Sequence, residues 1–141
     1  MLLVEDSYDT REGIRVLLKQ HGAEVTAVGS AAEALAAFPD VRPHVLLSDI
    51  GLADQDGCEL MRRVRALGRE SGGDVPAAAI TAYGASEDRV RALKSGFWDY
   101  VCKPVDTALL VNVVAGVVRS AASHPLWTTS VRSDLTEPPG R

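Results

Sequence analysis

Alternation is the feature that most constrains this chain: short apolar runs recur along it, and each is followed by a stretch with helical spacing. LLVE (2–5), AEVTAV (23–28), residues 44–48, VPAAAI (75–80) and DYVC (99–102) read as strands. Ile14, Leu17, Leu18 and His21 share one face of a helix expected over 9–20, with Gly22 where a C-terminal cap belongs. Ser30 stands as N-cap before AAEALAAF, a helix expected to stop at Pro39. A third helix is expected over 58–67, a fourth from Ser86 to about Lys94, and a fifth over 107–121 capped by Asp106. GRESGGD (68–74) reads as a mobile link. Strands that are apolar on both faces, each followed by a helix, imply a parallel sheet covered on both sides: a doubly wound α/β fold.

Such a sheet binds ligands beyond the carboxyl ends of its strands. The polar residues there are Glu5 and Asp6 after the first strand, Asp49 after the third, Thr81 after the fourth and Lys103, followed by Pro104, after the fifth. Three carboxylates brought together repel one another unless a cation neutralises them. Oxygen ligands without His or Cys favour Mg2+, which typically takes one or two carboxylates together with phosphate oxygens. A lysine and a hydroxyl on neighbouring strand ends are what a transferring phosphoryl group needs, with Asp49 as nucleophile and an acyl phosphate as product. Taken singly, Asp6 or Asp49 reads as a turn carboxylate, Thr81 as a strand residue and Lys103 as a solvated charge; the set of them carries the reading. Asp54 and Asp56 read as turn and helix-start residues and are left out of the site. The stripe Leu109, Leu110, Val113, Val114 and Val117 reads as core, and Trp98 is expected to pack on the fourth helix rather than anchor a partner.

The chain has 141 residues, 46% of them hydrophobic and 24% charged, which suits one domain with an ordinary core. A net charge of -4 gives no basic footprint for nucleic acid or anionic lipid. Cys58 and Cys102 form no CxxC, and His21, His44 and His124 are scattered, so neither a disulfide framework nor a zinc site is signalled. No apolar run approaches the roughly 18 residues of a membrane span, and MLLVED lacks the basic start of a signal peptide, so the cytoplasm is the expected location.

Four motifs, VED after the first strand, SDIGLADQDG after the third, ITAYGA around Thr81 and DYVCKPVD around Lys103, resemble the receiver domain of two-component response regulators. This family includes the single-domain chemotaxis regulator, and the resemblance covers residues 1–121, which are expected to form the domain. It implies a flavodoxin-like (βα)5 fold with strand order 2-1-3-4-5. It implies that Glu5, Asp6, Asp49 and the backbone carbonyl of Gly51 hold Mg2+, and that Asp49 is the phosphoacceptor. Thr81 and Lys103 would engage the phosphoryl group, Tyr100 would be the aromatic switch position, and the Lys103–Pro104 bond would be cis. The face formed by the fourth helix, fifth strand and fifth helix would change on phosphorylation. The implied partner is a histidine kinase or phosphotransfer domain, with no direct nucleic-acid or membrane contact, and the domain is expected as a monomer or weak homodimer. It is expected to be a signalling domain that catalyses only its own phosphorylation and dephosphorylation.

Leu52 and Ala53 stand where receivers commonly carry Met-Pro, which removes a rigidifying ring and is expected to leave that loop more mobile. Gly51 offers no side chain at a position that influences how water reaches the acyl phosphate, so its lifetime is expected to depend on Tyr83 and the loop backbone. Residues 122–141, with three prolines and no periodicity, read as a partly disordered tail or linker. The chain is expected to be either a free-standing receiver or one cut from a larger protein, a hybrid histidine kinase or a longer response regulator. Two other classes use related parts. A haloacid dehalogenase-like aspartyl-phosphate phosphatase needs a second Asp where Gly51 stands, and a flavodoxin-like binding module needs a hydroxyl-rich loop where Glu5 and Asp6 stand.

Overall fold

The computed structural model describes residues 1–82 and 86–121. Tyr83 and the expected tail over 122–141 lie outside the described residues. The elements run β1 (Leu2–Val4), α1 (Tyr8–Gln20), β2 (Thr26–Val28), α2 (Ala31–Val41), β3 (Leu46–Asp49), α3 (Gly57–Ala66), β4 (Ala77–Thr81), α4 (Ser86–Ser95), β5 (Asp99–Cys102) and α5 (Thr107–Ser120). All strand pairs are parallel and form one sheet in the order β2-β1-β3-β4-β5, the flavodoxin-like α/β arrangement. Among the described residues no helix is long and apolar enough to cross a membrane.

Side chains alternate across the sheet and sort the helices into two layers. Leu2, Val4, Leu46, Ala77 and Ala79 face α2, α3 and α4, where they meet Phe38, Leu60, Met61, Val64 and Ala92. Leu3, Leu47, Ala78, Ile80 and Val101 face α1 and α5, where they meet Ile14, Leu18, Leu110, Val114 and Val117. Each fully buried Leu or Ile contributes about 1.5–3 kcal/mol. An exposed pair such as Arg62–Glu59, at 3.1 Å, contributes at most about 1 kcal/mol, so the two apolar layers dominate.

Several boundaries differ from expectation for physical reasons. Helix α2 runs through Pro39 to Val41: the proline sits in the exposed last turn, Phe38 before it is buried, and the Arg42 N–H closes the turn on the Phe38 carbonyl at 2.9 Å. Strand β2 begins at Thr26 rather than Ala23, because β1, its neighbour among the described residues, offers partners from Leu2 to Val4. Leu109 is 49% exposed, so the buried stripe of α5 is Leu110, Val114 and Val117 with Val113 at its margin. His21, expected on the inner face of α1, is exposed and caps that helix, and Gly22 follows it with φ +91°. Trp98 is half-buried against the layer on the α1 and α5 side.

The link after α3, expected to be mobile, contains a 3-10 turn over Arg69–Ser71. Arg65 holds it: Nη1 donates to the carbonyls of Gly73 at 2.9 Å and Val75 at 2.6 Å, while Nε and Nη2 donate to the Gly96 carbonyl at 3.1 and 2.6 Å. Its guanidinium carbon lies 5.8 Å from the Trp98 ring centre, and burial pulls its pKa down to about 10, so it stays charged at neutral pH.

Helix α3 starts directly beneath the end of β3. The Gly57 N–H donates to the Ile50 carbonyl at 2.7 Å, and a Cβ on Gly57 would overlap the Asp49 carbonyl oxygen and come within 2.7 Å of Ile50 Cα. Because both obstacles are backbone, Gly57→Ala is expected to destabilise the domain by about 3 kcal/mol or more, read from the midpoint of urea unfolding. Arg65→Met leaves three partly buried carbonyls without their donor and is expected to cost about 2–4 kcal/mol in the same measurement, against less than about 0.5 for Arg62→Ala.

Candidate functional site

The parallel register brings the polar strand ends to one edge. Val4 pairs with Ser48, so the next residues, Glu5 and Asp49, stand side by side where β1 and β3 finish. Asp49 is the last paired residue of β3, opposite Ile80, and Thr81 follows on β4 opposite Cys102 of β5. The Lys103 N–H then donates to the Thr81 carbonyl at 2.8 Å, which carries the lysine onto the same edge. The Lys103–Pro104 peptide is cis.

Lys103 Nζ donates to Asp49 Oδ2 at 2.8 Å and lies 3.2 Å from Glu5 Oε1. The other Asp49 oxygen, Oδ1, accepts from the Gly51 N–H at 3.0 Å. Glu5 and Asp49 are buried and Asp6 is exposed, so the cluster opens to solvent on the Asp6 side. Glu5 Oε2 accepts from the Ser7 N–H at 3.0 Å, and Arg11 Nη1 donates to the Glu5 carbonyl at 2.8 Å, pinning the turn after β1 to α1. Burial pushes the Glu5 carboxyl above the ordinary range in spite of the Ser7 N–H, with Asp49 adding to the rise and Lys103 opposing it. Burial works against the charge on Lys103 too, but the hydrogen bond and charge of Asp49, with Glu5 behind them, hold its pKa above the usual lysine value.

One ammonium faces three carboxylates here, and an oxygen from each of Glu5, Asp6 and Asp49 lies within 4.8 Å of the others. Glu5 Oε1 is buried and, although Lys103 Nζ is near, receives no hydrogen bond. An excess of negative charge, an under-satisfied buried oxygen and an all-oxygen donor set fit a hard divalent cation. The exposed backbone of Gly51 is two residues from Asp49, and a Cβ there would stand 3.9 Å from Asp49 Oδ1.

The other singled-out residues fall into place unevenly. Thr81 is buried at the end of β4, and its hydroxyl points to β5, lying 3.4 Å from the Val101 carbonyl and 3.4 Å from Cys102 Sγ. Tyr100 is half-buried against the layer of α2, α3 and α4, and the Arg89 guanidinium carbon lies 5.7 Å from its ring centre. Asp56 is the N-cap of α3, accepting from the Cys58 N–H at 2.7 Å, and it also pairs with Arg91 of α4. Asp54 does more than a turn residue would: Oδ1 accepts from the Ala31 N–H at 3.1 Å and Oδ2 from the Ala32 N–H at 3.0 Å, at the start of α2. The N–H groups of Ala32 and Ala31 hold its carboxyl below the ordinary range. No local signal in the sequence marks a partner more than twenty residues away.

Comparison with known proteins gives a consistent picture. The family model of the response regulator receiver domain matches residues 1–115. The chain is 45% identical over 114 residues to an uncharacterised 14.6 kDa protein of Leptolyngbya boryana, covering 81% of this chain and 86% of that one. It is 37% identical to the transcriptional regulatory protein TrcR of Mycobacterium tuberculosis, covering 86% of this chain and 46% of the regulator. The chain thus spans about half the length of such transcriptional regulators. Among solved structures, a putative response regulator from Chloroflexus aurantiacus superposes with a TM-score of 0.80 at 29% identity, over 84% of this chain and 95% of that one. The receiver domain of NtrX from Brucella abortus does so with a TM-score of 0.77 at 27% identity, over 84% and 98%. With a family model matched across most of its length and a receiver fold built strand for strand, the chain belongs to the response regulator receiver domain family of two-component signalling proteins.

Proposed function

We propose that Asp49 accepts a phosphoryl group from the phosphohistidine of a histidine kinase or phosphotransfer domain, or from a small donor such as acetyl phosphate. The observation that carries this reading is the Lys103 ammonium 2.8 Å from Asp49 Oδ2 inside a cluster of carboxylate oxygens. A carboxylate oxygen of Asp49 bonds to phosphorus as the P–N bond breaks, and the electron pair leaves with the imidazole nitrogen, which takes up a proton. Lys103 meets charge on the phosphoryl oxygens in this reading, and Thr81 reaches them once its hydroxyl turns from β5. Glu5, Asp6, Asp49 and the Gly51 carbonyl would hold Mg2+, which when bound neutralises the phosphoryl oxygens. Hydrolysis of the acyl phosphate returns the Asp49 carboxylate and inorganic phosphate.

The signal leaves through the surface of α4, β5 and α5, with Tyr100 as the aromatic element that repacks. The domain works in the cytoplasm, as a monomer or weak homodimer, and touches neither nucleic acid nor membrane itself.

Incubation with acetyl phosphate and Mg2+, followed by intact mass measurement, is expected to add one phosphoryl group to the wild-type chain and none to Asp49→Asn or to a sample treated with EDTA. Lys103→Ala is expected to slow the addition roughly a hundredfold. Equal modification of wild type and Asp49→Asn would move the acceptor elsewhere. Gly51→Asn is expected to change the rate at which the phosphorylated chain decays, because its side chain would enter the space beside Asp49 Oδ1. The decay is followed by the same mass measurement, and an unchanged rate would remove this position from any role.

A further inference from the structure

We propose that Asp54 is a positioning residue for this site, clamping the β3–α3 loop to the start of α2 and so keeping the Gly51 backbone beside Asp49. The inference rests on the phosphoacceptor reading and deepens it. Gly51 is exposed and has no side chain whose packing could fix its direction. Before it, Asp49 Oδ1 accepts the Gly51 N–H. After it, Leu52 is buried in the core, its N–H donating to the Ile50 carbonyl at 3.0 Å, and no proline ring follows. Ala53 is exposed, and the next fixed point is Asp54, with one carboxylate oxygen on each of the Ala31 and Ala32 N–H groups.

Helix α2 does not lack a cap of its own. Ser30 Oγ accepts the Glu33 N–H at 3.1 Å, and Glu33 Oε1 accepts the Gly29 N–H at 2.7 Å, a reciprocal arrangement that serves the helix locally. The two bonds from Asp54 therefore add a connection between the helix and the loop. On the far side Asp56, capping α3 and pairing with Arg91, ends the loop. The stretch between Asp49 and Asp56 is thus tied at both ends and, through Asp54, in its middle.

The test is a Mg2+ titration of the full chain followed by the amide signals of residues 49–57 in NMR spectra. Wild type, Asp54→Ala, Asp54→Asn, Ser30→Ala and Asp49→Asn are compared. Asp54→Ala is expected to weaken Mg2+ binding about tenfold and shift the Gly51 amide before any metal is added. Asp54→Asn, which keeps one acceptor oxygen, is expected to fall between it and wild type. Ser30→Ala destabilises the same helix without touching the loop and is expected to leave Mg2+ affinity at the wild-type value. Wild-type affinity in Asp54→Ala, or an equal loss in Ser30→Ala, would overturn the positioning role while leaving the phosphoacceptor reading intact. A wild-type chain that binds no Mg2+, or binds it as well after Asp49→Asn, would overturn that reading and this inference with it.

Discussion

Glu5, Asp6 and Asp49 are brought together by a backbone ladder that has no regard for their charge. The parallel register of β1 and β3 puts Glu5 beside Asp49, and the cost of gathering like charges falls on the groups around them. Lys103 answers part of it, carried there by β5 and held to Asp49 and Glu5. The rest of the domain is arranged to keep that edge in place: two apolar layers grip the sheet, α3 is pressed so close beneath β3 that only glycine fits at position 57, and Arg11 ties the turn after β1 to its helix.

Most of this was readable from the residues because it obeys rules that act along the chain. Apolar runs such as Leu46–Asp49 and Ala77–Thr81 are buried on both faces, and only a parallel sheet covered twice does that. Once that topology is granted, the ends of its strands form one edge, which is why Glu5, Asp49, Thr81 and Lys103 could be grouped before any distance was known. What escaped depends on contacts across the fold. Pro39 ends no helix because Phe38 is anchored beside it, and Leu109 leaves the core because the turn of α5 carries it outward. Asp54 resembles any loop aspartate until Ala31 and Ala32 are seen in front of it. The resting direction of the Thr81 hydroxyl is not legible along the chain, since a rotamer is chosen by neighbours such as Val101 and Cys102.

The loop between β3 and α3 shows how one structural need can be met in two ways. Where the receiver resemblance leads one to expect a proline ring, this chain buries Leu52 and ties Asp54 to a neighbouring helix. Covalent stiffness acts in the unfolded chain as well as the folded one, whereas a hydrogen-bonded tether exists only after α2 has docked. The order of the loop is therefore coupled to the packing of α2.

Arg65 has a comparable influence on α4. Its guanidinium grips the Gly96 carbonyl just past the end of that helix, while Arg91, midway along the helix, pairs with Asp56 at the surface. The C-terminal end of α4 is therefore moored from α3, and the mooring sits beside the Trp98 ring.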